Sequence, residues 1–218
     1  MFELYGHPFS SFTWKVLIAL AERRVAFRFR QVDPGHPDNS ARLAAMSPTG
    51  QFPVLVHDGR EICESNVIIE YLDLHAPGDP PMVPADAAGA LEARMMADIF
   101  DDYVNGVMQQ VVGDALQPEG ERSVRAVVRA KGQLLRSYDW LEAKLSAREW
   151  ASGGDFGIAD CAAAPALFYA DWVEPIPAGC PALRAYRARL LARPSIAHVV
   201  DEARPYRRLF PLGAPDRD

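Results

Sequence analysis

A proline at position 53 heads the alternating apolar run Val54-Leu55-Val56, and that pairing narrows what the chain around it can become. Proline gives no N–H to a ladder, so it is admitted at a strand's first residue or on an edge. A cis X-Pro bond costs only about 0.5–1 kcal/mol, so a cis Phe52-Pro53 peptide is cheap at this place and would leave the Phe52 N–H and C=O unpaired and facing outward. His57-Asp58-Gly59-Arg60 reads as a turn and Glu61-Ile62-Cys63 as a returning strand. Ser65 is expected at the N-cap of a helix carrying Val67, Ile68, Ile69 and Leu72, with Glu64 just before it. The first-turn N–H groups of such a helix attract a carboxylate, and a neighbouring acidic side chain holds an ammonium, so the corner suits the two ends of an α-amino acid. A plain capped helix is the simpler reading of a lone Glu-Ser pair.

Upstream, Phe2-Glu3-Leu4-Tyr5 alternates as a strand, and Gly6-His7-Pro8 breaks it before a helix containing Trp14, Val16, Leu17, Ile18 and Leu20. Residues 26–32 alternate as a second strand, and Asp38 or Asn39 is expected to cap a short helix running through Leu43 to Met46. The order is therefore β-α-β-α-β-β-α, a thioredoxin-like α/β domain. Ala76–Pro84 holds four prolines, which forbid a helix and stiffen the segment. This places a linker at 77–86 between an α/β domain at 1–76 and an all-α helical bundle at 87–218. In the second part the spacing predicts a long helix from Ala87, another over about Glu121–Leu145, a nearly all-apolar one over Ile158–Val173, and two closing helices introduced by Pro181 and Pro194. Asp160 falls at the third position of the apolar helix, with Gly157 at its N-cap.

These features together resemble the glutathione transferases. Glu64-Ser65-Asn66-x-Ile68-x-Glu70-Tyr71-Leu72 and the Phe52-Pro53-Val54-Leu55 strand carry the resemblance, which spans nearly the whole chain. It implies that Phe52 pairs through its backbone with the cysteinyl part of glutathione and that Glu64 and Ser65 hold the γ-glutamyl end. Gln51 stands where many relatives have Lys; it can still hydrogen-bond a glycyl carboxylate but brings no charge. Gly157 stands where the family usually has Ser or Thr.

The reactive candidate is the start of the first helix, Phe9-Ser10-Ser11-Phe12-Thr13-Trp14-Lys15. A hydroxyl there serves as a helix cap, as a donor to a bound thiol, or as both. A free thiol near pKa 8.5 is mostly protonated at neutral pH. Lowering it by about two units takes about 2.7 kcal/mol, which a hydrogen bond plus a helix N-terminus can supply. Leu4-Tyr5-x-x-x-x-Ser10-Ser11-x-x-Trp14-Lys15-Val16 resembles the opening of the zeta-like, serine-type bacterial-type cytosolic transferases, which implies Ser10 as the activating hydroxyl and Ser11 as second choice. Those zeta members carry a cysteine at the position of Phe12. No cysteine precedes Cys63, so a Cys-x-x-Cys pair at this helix start is excluded. By the same resemblance the second substrate, a small apolar electrophile, is expected over His7, Phe9, Phe12, Trp14, Met96, Phe100 and Tyr103. The implied activity is transfer of glutathione, as co-substrate, in detoxification. Glutathione-dependent isomerisation or dehalogenation, and a non-catalytic binding module, are the alternatives.

Across 218 residues the net charge is −6, with 29 acidic side chains against 23 Lys and Arg, which argues against nucleic acid or an anionic membrane surface as partner. Widely spaced Cys63, Cys161 and Cys180 and five unclustered histidines point to neither a disulfide framework nor a metal site. No apolar run is long enough to span a bilayer, and Met1 leads directly into strand residues, so a cytoplasmic location is expected. The family habit implies a two-fold homodimer, with Asp98 or Asp102 on the first long helix reaching the partner's γ-glutamyl amine.

Overall fold

A computed structural model describes all residues, Met1–Asp218. The first part is built from β1 (Phe2–Gly6), α1 (Ser11–Glu22), β2 (Phe27–Gln31), α2 (Pro37–Met46), β3 (Val54–His57), β4 (Arg60–Ile62) and α3 (Ser65–His75). This is the expected order. The sheet runs β2-β1-β3-β4, with β1 parallel to β2 and antiparallel to β3, so Leu4 sits opposite Phe29 on one side and Leu55 on the other. Leu4 and Leu55 are sealed from solvent together with Ile18 and Leu20 of α1 and Ile68, Ile69 and Leu72 of α3. The parallel β1–β2 pair requires a crossover, and α1 supplies it.

Two local details differ from expectation. Helix α2 begins at Pro37, whose fixed φ suits the first turn, rather than after an Asp38 or Asn39 cap. Ser65 is the first residue of α3, not its cap; the cap position belongs to Glu64, held at φ +66°. That left-handed conformation is uncommon for a residue with a Cβ. The Phe52–Pro53 peptide is cis, and so is Asp79–Pro80.

After the non-helical segment through Pro84, the remaining elements are helical: α4 (Ala87–Asp98), a π-helical stretch Ile99–Asn105, α5 (Gly106–Leu116), α6 (Val124–Leu145), α7 (Ile158–Val173), α8 (Pro181–Leu191) and α9 (Pro194–Ala203). The expected long helix from Ala87 is thus continuous through α4 and α5 but changes hydrogen-bond register midway. Helix α6 starts later than expected, at Val124, because Ser123 caps it by accepting from the Ala126 N–H. Every residue of α7 is buried. It packs against α1, α4 and the π stretch, and so forms the post on which both parts of the molecule rest.

The α7 start is fixed by Asp160. Its carboxylate accepts from the Gly157 N–H at 2.9 Å, from the Ala151 N–H at 2.9 Å and from the Tyr186 hydroxyl at 2.6 Å. Burial nevertheless pushes its pKa up to about 6, against the pull of those donors. A Cβ on Gly157 would lie 2.5 Å from the Met82 carbonyl oxygen, which accepts from the next residue's N–H, Ile158, at 2.9 Å. With φ at −152° the glycine is required by that close approach and not by its dihedral. No helix is long and apolar enough to cross a membrane.

Candidate functional site

A cleft of about 640 Å³ opens between the β1–α1 connection, the turn before β3, helix α5, and the residues following α9. Its size falls in the usual range for small-molecule sites. Ser10 and Ser11 lie on its wall at the start of α1. Ser10 is the N-cap: its Oγ accepts from the Thr13 N–H at 3.2 Å, and its hydroxyl proton has no acceptor within the chain. The N–H groups of Ser11 and Phe12 likewise find no acceptor in the chain. A helix terminus with spare N–H groups and a hydroxyl donor is therefore turned toward one cavity, an arrangement that favours an anion.

On the opposite wall stand Gly50, Gln51 and Phe52. Gly50 takes φ +67°, which lets the chain turn after Ser47. The Gln51 N–H is held by the Ser47 hydroxyl at 3.0 Å, while its side chain is exposed. Phe52 donates and accepts no hydrogen bond, which leaves its backbone edge available beside buried Pro53. Glu64 and Ser65 are not part of the cleft wall. They stand beyond it at the α3 terminus, where the N–H groups of Ser65, Asn66 and Val67 also lack acceptors in the chain. The Glu64 carboxylate is exposed there.

Of the residues expected over the second substrate, His7, Phe9 and Phe12 line the cleft and four do not. Trp14, Met96 and Phe100 are fully buried. Trp14 packs on Phe168 and Tyr169 with its indole N–H donated to the Pro8 carbonyl at 2.7 Å, and Phe100 stacks toward Tyr186. Tyr103 is exposed and lines no part of the cleft. The reason is α7, which packs against α1, α4 and the π stretch, the elements that carry Trp14, Met96 and Phe100, and so takes those side chains into the core, whereas Tyr103 stands on the exposed face of the π stretch. The cleft face of α5 is Met108, Val112 and Leu116, at spacings of four, with Gln109 beside them. Tyr169 and Phe210 complete the apolar wall, Tyr169 donating its hydroxyl to the Phe9 carbonyl at 2.9 Å. The spacing of four in Met108, Val112 and Leu116 is a signal present in the sequence; Phe210, in the stretch after α9, has none.

His7 is the imidazole of the cleft wall. Its Nδ1 accepts from the Phe9 N–H at 3.1 Å, and its pKa is lowered by burial, with Asp33 pulling the other way.

A helix N-terminus bearing a serine, across one cavity from Phe52 in a thioredoxin-like domain that packs on a helical bundle, is the arrangement that the sequence resemblance to the glutathione transferases implies. In agreement, the chain belongs to the glutathione S-transferase family: the family's N-terminal domain pattern matches residues 4–80 and its C-terminal domain pattern residues 114–189. A probable glutathione S-transferase of Oryza sativa subsp. japonica is 35% identical over 169 residues, covering 73% of this chain and 71% of that protein. A glutathione S-transferase of Methylobacterium radiotolerans, solved in complex with glutathione sulfonate, superimposes with a TM-score of 0.78 at 28% identity over 91% of this chain and 94% of that one. FtsZ-localized protein A of Caulobacter vibrioides is 26% identical over 212 residues, 93% of this chain and 92% of that protein.

Proposed function

We propose that the protein is a serine-type glutathione transferase that binds glutathione along the edge from Gln51 and Phe52 to Glu64 and Ser65 and activates its thiol at Ser10 for attack on a small apolar electrophile. The observation that carries this reading is the position of Ser10, a helix cap with an unspent hydroxyl proton on the same cavity as Phe52. A thiol placed there meets a hydroxyl donor and the positive end of α1, and both stabilise the thiolate over the thiol. Ser11, 4% exposed, is the second candidate for that donor. The thiolate faces a wall of Phe9, Phe12, Met108 and Val112, a soft apolar surface that suits a hydrophobic electrophile. Thiol titration of the glutathione complex tests the reading. The thiol pKa drops on binding and returns toward its free value in Ser10→Ala; an unshifted thiol pKa in the wild-type complex defeats the proposal.

The zeta-like opening around Ser10 and Ser11 supports a second outcome, in which glutathione adds and is released again during isomerisation or dehalogenation. A stable conjugate in the product mixture separates transfer from isomerisation. A third reading, a binding module without catalysis, draws support from the Caulobacter relative, which is named for where it localises. Glutathione binding with no thiolate formation would favour it.

The proposed assembly is a two-fold homodimer through α3 and α4. Glu70 and Arg94 join these helices by a bidentate pair at 2.8 and 2.7 Å, and around that pair Val67, Leu74 and Leu91 are more than half exposed. Asp98 and Asp102 are exposed on or just after α4; Asp98 accepts from Asn66 at 3.4 Å, which sets it near the α3 terminus and supports Asp98 over Asp102 for a reach toward a partner's γ-glutamyl amine.

A further inference from the structure

His7 enters the cleft with one of its two ring nitrogens already committed. The Phe9 backbone N–H can only donate, so Nδ1, 3.1 Å away, must be a lone-pair acceptor. The neutral ring then carries its proton on Nε2. Protonating Nδ1 would break that bond, and burial also disfavours the imidazolium, so the ring stays neutral near pH 7. Nε2 has no partner within the chain and is not sealed from solvent, although the ring as a whole is half-buried. The ring cannot swing freely. Tyr206 meets it edge-on with ring centroids 4.8 Å apart, itself held through its hydroxyl by Gln31 at 3.0 Å, and the Phe52 ring lies 6.5 Å away, nearly parallel to it. The His7 carbonyl accepts from the Ser10 N–H at 3.0 Å, which ties the imidazole to the start of α1.

We propose that His7 is a specificity-determining residue whose Nε2–H donates a hydrogen bond to an acceptor oxygen conjugated to the carbon under attack, so that the cleft favours electrophiles of the α,β-unsaturated carbonyl type over those without such an oxygen. The inference rests on the transferase reading above. In the reaction the thiol proton has left to water before attack. The sulfur lone pair forms the C–S bond, the C=C π pair moves so that negative charge gathers on the carbonyl oxygen, and the enolate takes a proton at carbon from water. No proton leaves His7. A fixed neutral donor at the developing oxyanion stabilises the transition state more than the ground state, and it needs no reorientation to do so. An alkyl halide offers no such oxygen and gains nothing from it.

Two variants separate this role from support of the loop. In His7→Asn the amide oxygen replaces Nδ1 as acceptor for Phe9 while nothing reaches the Nε2 position. In His7→Gln the amide nitrogen reaches it as a donor. The kcat/KM ratio of an enone to an alkyl iodide, each measured with saturating glutathione, should fall about tenfold in His7→Asn, the worth of one good hydrogen bond, and return to within about threefold of wild type in His7→Gln. The thiol pKa of bound glutathione is titrated in parallel for all three proteins. Equal losses for both electrophiles, no recovery in His7→Gln, or a change that tracks a raised thiol pKa overturns the assignment. Failure of the transferase reading itself is distinct: the wild-type complex would then form no thiolate at neutral pH.

Discussion

The ammonium of Lys15, on α1, meets the carboxylate of Asp101, in the π stretch between α4 and α5, with the Lys15 side chain 1% and the Asp101 side chain 13% exposed. Asn66, one residue into α3, accepts from the same ammonium at 2.7 Å and donates to the same carboxylate at 3.1 Å. Burial lowers the Lys15 pKa and raises that of Asp101, each opposed by the charge of the other. Two helices of the α/β part and the long helix of the bundle thus share one largely buried polar knot, which lies next to the free N–H groups at the start of α3.

Removing one side of that knot leaves a buried charge without its counterpart. Lys15→Met should cost about 3–5 kcal/mol of unfolding free energy, and Lys15→Met combined with Asp101→Leu should recover most of it, because desolvation of both ions offsets much of their attraction. Urea unfolding of the two variants checks this. A double variant no more stable than Lys15→Met would show that the ion pair itself holds the parts together.

Serine caps helices better than glycine, so capping alone favours serine at position 157. The Met82 carbonyl reverses the expectation. Gly157→Ala and Gly157→Ser should both lose about 1–3 kcal/mol, the usual cost of forcing an atom into a filled site, and the cap hydroxyl should not repair it. Thermal unfolding of both variants decides the point, and a Gly157→Ser protein that melts above wild type would contradict it.

Asp160 predicts a pH dependence of known sign. Its folded pKa of about 6 lies above the ordinary carboxylate value, so the folded state binds the extra proton between those two values. This contribution is fully present below about pH 4 and is lost as pH rises through about 6, amounting to about 3 kcal/mol across the window. In Asp160→Asn the term is absent. The stability of wild type relative to this variant should therefore decline between pH 4.5 and 7.5 in paired urea titrations.

Capping and chemistry at Ser10 can be separated. Ser10→Ala should lower stability by about 1 kcal/mol and Ser10→Gly by only a few tenths, because glycine is tolerated at an N-cap. The thiol pKa of bound glutathione should rise equally in both, since both lack the hydroxyl. Unequal thiol shifts that follow stability would assign Ser10 a structural role alone.

Leu91→Glu places a charge among the exposed apolar side chains of α3 and α4. The proposed homodimer should give way to a particle of half the mass in sedimentation at micromolar concentration, with the monomer's fold retained because Leu91 is 70% exposed. An unchanged mass would move the interface elsewhere.

The sheet and its helices were legible because each element carries its own period. Val54 to Val56 alternates, Ile68, Ile69 and Leu72 repeat at helical spacing, and four prolines in nine residues bar a helix between the two parts. The start of α1 was legible for the same local reason, a serine cap after a Gly-His-Pro break. What escaped was set by distant contacts. Nothing near Trp14, Met96 or Phe100 says that α7 will cover them, nothing near Gly157 announces Met82, and nothing in 203–211 places Phe210 beside Tyr169 on the cleft wall. The Lys15–Asp101 pair was invisible because its members are 86 residues apart.

The π stretch at Ile99–Asn105 joins two faces of one rod that serve different ends: Leu91 and Met95 look outward from α4, while Met108, Val112 and Leu116 look into the cleft from α5. A helix turns by about 100° per residue, so losing or gaining a single residue in that stretch would swivel α5 under an unmoved α4. A single indel there would exchange the whole cleft-facing wall of α5 while the outward face of α4 stayed in register, a larger change of cleft lining than successive point substitutions would give.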